Sequence, residues 1–100
     1  MAWQIEFDPA AQRELIELDK PIRRRVLKFL YERVGKLDDP RKIGERLQGT
    51  LSKFWRYRVG DYRPICSLED DQLVVLVLRI GHRREVYNLN SLSRRGPSRS

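Results

Sequence analysis

One stretch of the chain constrains the fold more than any other, because it is apolar at almost every position. Residues Leu73 to Ile80 are valine, leucine and isoleucine interrupted by one charge, Arg79. A sheet with one face in water exposes every second side chain, whereas a strand that is apolar at successive positions is covered on both faces. The run is far shorter than the roughly 20 residues that cross a bilayer. The sequence therefore predicts a central β-strand buried on both faces.

The first residues predict a strand that leads directly into a helix. Residues 3–7 alternate between apolar and polar side chains, which is the period of a half-buried strand. Asp8 and Pro9 then form a typical helix start, an N-cap carboxylate followed by proline at the first helical position. Apolar side chains recur at helical spacing from there, so we expect an amphipathic helix over residues 9–18.

A second helix is predicted after a break of two or three residues. Its apolar stripe begins after Lys20 and continues to Val34, and Gly35 is well placed to end it. Two helices joined by so short a break form an antiparallel hairpin. The basic run Arg23–Arg25 is expected on the solvated outer face of this hairpin.

Beyond the helices the hydrophobic period changes to two. Residues 36–50 predict a connecting segment, with a short helical turn around Ile43 to Leu47. Gly60-Asp61 and the acidic run Glu69–Asp71 supply turns between successive strands, and Gly81 is expected to end the central strand. The predicted strands are Phe54–Val59, Tyr62–Leu68 and Leu73–Ile80, with a short fourth one over Arg84–Tyr87.

This order of elements predicts a single α+β domain over residues 1–88. It comprises an N-terminal strand, a two-helix antiparallel hairpin and a three- to four-stranded antiparallel meander, with the helices packed on one face of the sheet. The long connection after the first strand allows that strand to lie beside the last. Residues 89–100 are too polar to order themselves, so we expect a flexible basic tail.

The positive charge of the chain is concentrated in its second part. The net charge is +7, and residues 1–40 hold eight basic and eight acidic side chains, whereas residues 41–100 hold thirteen basic and six acidic ones. A chain this basic is expected to attract phosphate or an acidic partner, and the asymmetry indicates that the second part provides the attraction. Solubility alone is the competing interpretation of the net charge.

Other function classes are excluded by what the sequence lacks. One cysteine, Cys66, forms neither an internal disulfide nor a multi-cysteine metal site, so we expect a buried thiol in a reducing cytoplasm. The N-terminus has no basic region followed by an apolar stretch, so we expect no secretion signal. A disulfide-stapled toxin, a transmembrane protein and a zinc finger are not compatible with this sequence.

Arginines alternate with aromatic residues in the first strand of the meander. If Trp55, Tyr57 and Val59 point at the helices, Arg56 and Arg58 point the other way, roughly 6–7 Å apart along the strand. Arg63 follows on the next strand, and Arg83 and Tyr87 lie on the segment that leaves the central strand. Guanidinium groups suit bidentate phosphate contacts, and aromatic rings stack on unpaired bases. This pattern favours a nucleic-acid surface, although an exposed polar face paired with Glu69, Asp70 or Glu85 would also produce it.

Four stretches of the chain carry a resemblance to a known family. They are Ile5–Ala11, Leu47–Gly49, Trp55–Arg63 and Ile80–Tyr87. In combination they resemble the RelE family of bacterial toxins, the ribosome-dependent mRNA endonucleases of toxin–antitoxin pairs, whose fold is the RelE-like microbial RNase fold. The Trp55–Arg63 stretch alone does not separate RelE from the related ParE toxins, which act on DNA gyrase. The ending Arg83-Arg84-Glu85-Val86-Tyr87 favours RelE.

The resemblance implies an enzyme that enters the vacant ribosomal A site and cuts the mRNA codon displayed there. The 2′-hydroxyl of one nucleotide attacks the adjacent phosphate and leaves a 2′,3′-cyclic phosphate and a 5′-hydroxyl. Such an enzyme holds the RNA in line, neutralises the pentavalent phosphate and moves two protons, without a metal or other cofactor. The implied partners are mRNA on the ribosome and a cognate antitoxin with an acidic or amphipathic segment, and no membrane is implied.

The resemblance also assigns roles to five residues. Arg56 and Arg58 fall where the best-known member has two lysines. A guanidinium is effectively always protonated, so we expect both to act as electrostatic clamps and neither as a general base. Arg63 is expected to bind the phosphate, and Arg83 to stabilise the leaving group or the transition state. Tyr87 is expected to stack on RNA and to serve as general base, with the pKa of its phenol lowered by surrounding arginines.

Two other functions stay open at this point. A ParE-type toxin would inhibit gyrase and cleave no RNA, and a basic RNA-binding domain would bind without chemistry. Arg83 and Tyr87 discriminate between the toxins, since both are essential to a nuclease and dispensable to a gyrase inhibitor. His82, the only histidine, lies beside the predicted site, but the family pattern does not require it and we assign it no catalytic role.

Overall fold

The computed structural model describes residues 2–83. Its helices and strands occur in the order that the hydrophobic periods predict. The elements are β1 (Gln4–Phe7), α1 (Pro9–Glu17), α2 (Lys20–Lys28), β2 (Glu45–Arg46), β3 (Phe54–Arg56), β4 (Tyr62–Glu69) and β5 (Val74–His82). The sheet has the order β1-β5-β4-β3-β2, with β1 parallel to β5 and the other pairs antiparallel. The predicted α+β fold is confirmed. The strand predicted over Arg84–Tyr87 and the tail 89–100 lie outside the described residues.

The strand β5 is central, as its apolar run predicts. It lies between β1 and β4, and its residues Val75 and Val77 are fully buried in the core beneath the helices. The other face of the sheet carries a smaller apolar cluster to which Leu78 contributes. The principal core joins Ala11, Leu15, Val26 and Leu30 of the helical side to Trp3, Ile5, Val75, Val77 and Ile80 of the sheet. Burial on both faces is therefore confirmed.

A bulge in β5 changes which side chains reach the helices. Ile65 is opposite Arg79 and Cys66 is opposite Val77, so Leu78 is an extra residue with no partner in β4. Because of this insertion both Val77 and Ile80 contribute to the core beneath the helices. The expectation that Gly81 ends the strand is wrong, since β5 extends to His82. Gly81 pairs with Arg63 and His82 pairs with Tyr62, the first residue of β4.

The start of α1 matches its prediction. Asp8 precedes the helix in an extended conformation, and its carboxylate accepts a hydrogen bond from the backbone N–H of Ala10 at 3.2 Å. Pro9 occupies the first helical position, where no N–H is required. The helix ends at Glu17, one residue before the predicted boundary.

The second helix continues beyond α2 as a π-helical turn over Phe29–Val34 and ends at Gly35. Gly35 keeps a right-handed backbone, so it is needed for space and not for a left-handed φ. The N–H of Trp3 donates to the carbonyl of Gly35 at 2.7 Å, and a Cβ atom at Gly35 would lie 3.1 Å from the carbonyl oxygen of Trp3. Within residues 2–83 no helix has the length and apolar character of a membrane-spanning segment.

The connection between helices and meander differs from its prediction. The short helical turn is a 3-10 turn at Pro40–Ile43, upstream of the expected position, and β2 follows it. This two-residue strand pairs with β3 at the edge of the sheet and is too short to show alternation in the sequence. The strand predicted over Phe54–Val59 ends at Arg56, and Val59 rejoins β4 through an isolated bridge to Tyr62.

Glu14 of α1 completes the edge of β5 where β1 ends. The paired segment of β1 reaches only Val77, because the chain then turns into α1. The Glu14 carboxylate accepts from the backbone N–H of Ile80 at 2.8 Å and from two nitrogens of the Arg79 guanidinium, the shorter contact being 2.7 Å. One carboxylate therefore takes the place of a strand neighbour and fixes α1 against β5.

We expect Glu14→Ala to lower the free energy of unfolding by about 2 kcal/mol, because it leaves the partly buried N–H of Ile80 without its acceptor and removes the ion pair with Arg79. Urea denaturation measures this change. Glu17→Ala is the matched control, since Glu17 is an exposed carboxylate on the same helix and its loss should change stability by less than about 0.5 kcal/mol. Equal stabilities of the two variants would contradict the role assigned to Glu14.

Candidate active site

The segment that begins with β3 separates aromatic from arginine side chains. Tyr57 and Val59 are buried in the core beneath the helices, and Trp55 packs against the same core. Arg56 and Arg58 are exposed. The predicted alternation is confirmed: the residues between the arginines face the helices, and the arginines project away from the core.

The turn Gly60–Asp61 joins this segment to β4. Val59 and Tyr62 each donate a backbone hydrogen bond to the other at 2.9 Å, which closes the turn. Gly60 has a φ of +59°, in the left-handed region that glycine adopts without steric cost. Three of the predicted site residues, Arg58, Arg63 and Arg83, lie around this turn.

Arg63 folds back onto the turn. Its Nη1 donates to the carbonyl oxygens of Gly60, at 2.7 Å, and of Tyr62, at 2.9 Å. Within residues 2–83 its Nε and Nη2 have no acceptor. The turn thus fixes the guanidinium through one nitrogen and leaves the others available for a phosphate, which accepts two parallel hydrogen bonds from such a fork.

Arg83 is attached to the same turn through Asp61. Its backbone N–H donates to the Asp61 carbonyl at 2.7 Å, and its Nε lies 3.3 Å from the Asp61 carboxylate. The register of β4 and β5 places Gly81 opposite Arg63, and Arg83 follows two positions later. Arg63 and Arg83 are consequently brought to one end of the sheet although they are far apart in sequence.

Arg58 is brought near Arg63 by the pairing of the β3 segment with β4. Arg56 pairs with Ile65 and Val59 bridges to Tyr62, so the same register sets Arg58 opposite Arg63. Opposite residues of an antiparallel pair project to the same face. Within residues 2–83 the Arg58 guanidinium has no hydrogen-bond or ion-pair partner. The Arg58 side chain also borders a groove lined by Arg25 and Arg33 of the second helix.

Arg56 lies further along the sheet and is bound to a carboxylate. Its Nη2 is 3.0 Å from Oε1 of Glu45 on β2, and these two residues are register partners. The Glu45 side chain is 74% exposed, so the ion pair lies in water and contributes at most about 1 kcal/mol. Another anion can therefore replace Glu45 at little cost.

Several polar residues lie near the arginines in the sequence or in the sheet. His82 is paired with Tyr62, one register position from Arg63, and its ring contacts the Tyr62 ring edge-on at 5.3 Å between centroids.

Cys66 is fully buried, and burial raises the pKa of its thiol, so it is no nucleophile at neutral pH. Burial also raises the pKa of Tyr57, whose hydroxyl donates to the carbonyl of Pro40. Tyr87, the predicted general base, lies outside the described residues.

Comparison with known proteins assigns the chain to a family. The family described as "ParE toxin of type II toxin-antitoxin system, parDE" matches residues 5–87. The chain belongs to the RelE/ParE superfamily of type II toxins. The match covers most of the chain, from the second residue of β1 through both helices to the end of β5.

Individual relatives of this toxin carry RelE-type names. It is 28% identical over 87 residues to toxin RelG of Mycobacterium tuberculosis, covering 87% of this chain and 98% of that protein. It is 30% identical over 94 residues to a putative RelE-like toxin protein of Escherichia coli, covering 91% of this chain and 96% of that protein. The toxin–antitoxin complex RelBE2 of Mycobacterium tuberculosis matches with a TM-score of 0.76 and 26% identity, over 85% of this chain and 95% of that chain. The RelE-family resemblance is confirmed.

Two carboxylates of the toxin's site are not predicted by the sequence. Asp61 is expected there only as a turn residue, and its contact with Arg83 follows from the pairing of β4 with β5. Glu45 belongs to β2, for which the sequence has no alternation. In both cases the signal lies in strand register, which a local pattern does not contain.

On the hypothesis that this basic surface binds RNA, Glu45→Gln should tighten binding to RNA several-fold, because it frees Arg56 and removes one negative charge from the site. Filter binding to purified ribosomes at low and at physiological salt measures the change, which should be larger at low salt. Glu17→Gln, an exposed carboxylate on α1, provides the same change in net charge away from the sheet and should have a smaller effect. Equal effects of the two variants would show that Glu45 does not compete with RNA for Arg56.

Proposed function

We propose that this toxin is a ribosome-dependent endoribonuclease that cuts mRNA in the A site. The observation that carries the proposal is the arrangement of Arg58, Arg63 and Arg83 around the Gly60–Asp61 turn. Folding stability gives no reason to gather like charges, whereas a phosphodiester between them would neutralise the repulsion. Because the proposed substrate is mRNA on the ribosome, we also propose that the toxin acts in the cytoplasm.

The proposed reaction is an internal transfer at one phosphate. A base removes the proton of the 2′-hydroxyl, the 2′-oxygen bonds to phosphorus, and the bond from phosphorus to the 5′-oxygen breaks. The departing oxygen takes up a proton, so the products are a 2′,3′-cyclic phosphate and a 5′-hydroxyl. The additional negative charge of the pentavalent phosphate is where preorganised guanidinium groups stabilise most. We assign Arg63 to the phosphate oxygens and Arg83 to the leaving side, with Arg56 and Arg58 as clamps on the adjoining backbone.

The arginines leave the general base to another group. Guanidinium groups stay protonated at any pH that a folded protein experiences and cannot accept the 2′-hydroxyl proton. We propose Tyr87 for that role, because a phenol can lose its proton when neighbouring cations stabilise the phenolate. The fixed arginines then provide orientation and charge, and the tyrosine provides the proton transfer.

We expect Arg83→Ala to lower the rate of mRNA cleavage by about 100-fold or more, the usual effect of removing one donor from a developing oxyanion. The purified toxin is added to programmed ribosomes and the new mRNA ends are mapped. Arg13→Ala is the control, since Arg13 is an exposed arginine on α1 and its loss changes the net charge equally. Retained cleavage in Arg83→Ala would overturn the site.

Tyr87→Phe should abolish cleavage while leaving ribosome binding nearly intact, because only the hydroxyl is removed. General base catalysis contributes typically about 100- to 10,000-fold, and the loss should lie in that range. Cosedimentation with ribosomes measures binding on the same samples. A wild-type cleavage rate in Tyr87→Phe would show that another group removes the proton.

A gyrase inhibitor of the ParE type is the second candidate, because the family that matches residues 5–87 is described by that name. Such a toxin would block DNA supercoiling by purified gyrase and leave programmed mRNA uncut, and Arg83→Ala would retain its toxicity. Binding of ribosomes without new mRNA ends would instead indicate a basic RNA-binding module. The two purified assays therefore separate all three functions.

We also propose a cognate antitoxin as partner, supported by the similarity to a toxin that is solved as the RelBE2 complex. The toxin exposes the apolar side chains of Ile16 and Tyr31 on its helical side, among basic residues of α1 and α2. Apolar residues surrounded by positive charge suit an amphipathic, acidic segment. Copurification with the product of a neighbouring reading frame for a small acidic protein would test this partner.

A further inference from the structure

A second basic surface lies on the helical side of the Gly60–Asp61 turn. The second helix and this turn enclose a groove of about 510 Å³, within the size range of ligand sites. Its walls carry the cationic side chains of Arg25, Lys28, Arg33 and Arg58, with Glu32 as the one acidic residue and Phe29 among the apolar ones. We call it the α2 groove.

The charge of the α2 groove is unbalanced. Four cations face one carboxylate, and within residues 2–83 neither Arg25 nor Lys28 has an ion-pair partner. Arg33 lies over the Phe29 ring at 5.8 Å, an interaction that leaves its charge uncompensated. Cations gathered around one cavity repel one another, and a bound polyanion reverses that repulsion.

Arg25 connects the α2 groove to the candidate active site. A Cβ atom at Gly60 would lie only 3.0 Å from Nη1 of Arg25, so the guanidinium rests against the bare backbone of the turn. Arg25 also lines a smaller cavity together with Asp61, the partner of Arg83. The same short turn therefore contacts Arg63, Arg83 and Arg25, and Arg58 belongs both to the candidate active site and to the α2 groove.

We propose that the α2 groove binds the sugar-phosphate backbone of RNA that continues from, or lies beside, the strand at the candidate active site. The proposal rests on the proposed function for the identity of that RNA. Arginine and lysine along a groove track a backbone without reading its sequence, and each neutralised phosphate makes binding more salt-dependent. The basic residues of α2 are thus part of a second RNA-binding surface and not only a solvated face.

The test compares two double variants of the full chain that remove the same charge. Arg25→Gln with Lys28→Gln removes two cations of α2 from the groove, whereas Arg13→Gln with Arg24→Gln removes two exposed cations outside it, one on α1 and one on α2. Binding is measured over a range of salt concentrations on vacant ribosomes and on mRNA-programmed ribosomes. Circular dichroism and the thermal midpoint verify that each variant is folded.

We expect the groove variant to bind roughly ten-fold more weakly, and the control variant to bind like the wild type. The salt slope of the groove variant should fall by about 0.7 to 1 for each phosphate that is no longer neutralised. Weakening on vacant ribosomes identifies ribosomal RNA as the ligand, and weakening only on programmed ribosomes identifies mRNA. Equal weakening in both variants, or weakening towards an acidic peptide alone, overturns the proposal. A toxin that cuts no mRNA would overturn the proposed function and still leave the groove tested by binding.

Discussion

The register between β4 and β5 is the constraint on which the candidate site depends. Strand β5 is fixed on its other edge by β1 and by the Glu14 carboxylate, so it is held from both sides. A slip of one residue would move every side chain of a strand to the opposite face. The observed register instead places Gly81 against Arg63 and leaves Arg83 beside Asp61. For that reason two guanidinium groups that are well separated in the sequence contact the same turn.

The Gly60–Asp61 turn contacts three arginines from different parts of the fold. Its carbonyl and carboxylate oxygens hold Arg63 and Arg83, and its glycine leaves room for Arg25 from α2. The ion pairs involved are exposed, and exposed pairs contribute little to stability. An anion could therefore replace these internal carboxylates at little cost, as the proposed binding of RNA requires.

Features that depend on neighbouring residues could be predicted from the sequence, whereas those that depend on pairing could not. The central strand, the Asp8 helix start and the separation of Trp55 and Tyr57 from the arginines all follow from local periods. The bulge at Leu78 and the interactions of Glu45 and Asp61 require the register of distant strands. The distribution of charge also could not be predicted from local sequence. Residues 1–40 have no net charge, yet the second helix brings three of their cations to one groove. The roles of the site arginines came from the family resemblance, since alternation indicates a basic face and no reaction.

The central claim is that Arg63 and Arg83 bind one phosphodiester of the RNA. The most direct measurement is a structure of the toxin on a ribosome whose A-site codon carries 2′-O-methyl groups, which block the attacking oxygen and preserve the bound state. The account predicts that both guanidinium groups lie within hydrogen-bond distance of the phosphate that follows the methylated nucleotide, with Arg83 released from Asp61. A phosphate out of reach of both arginines, with Arg83 still on Asp61, would contradict it.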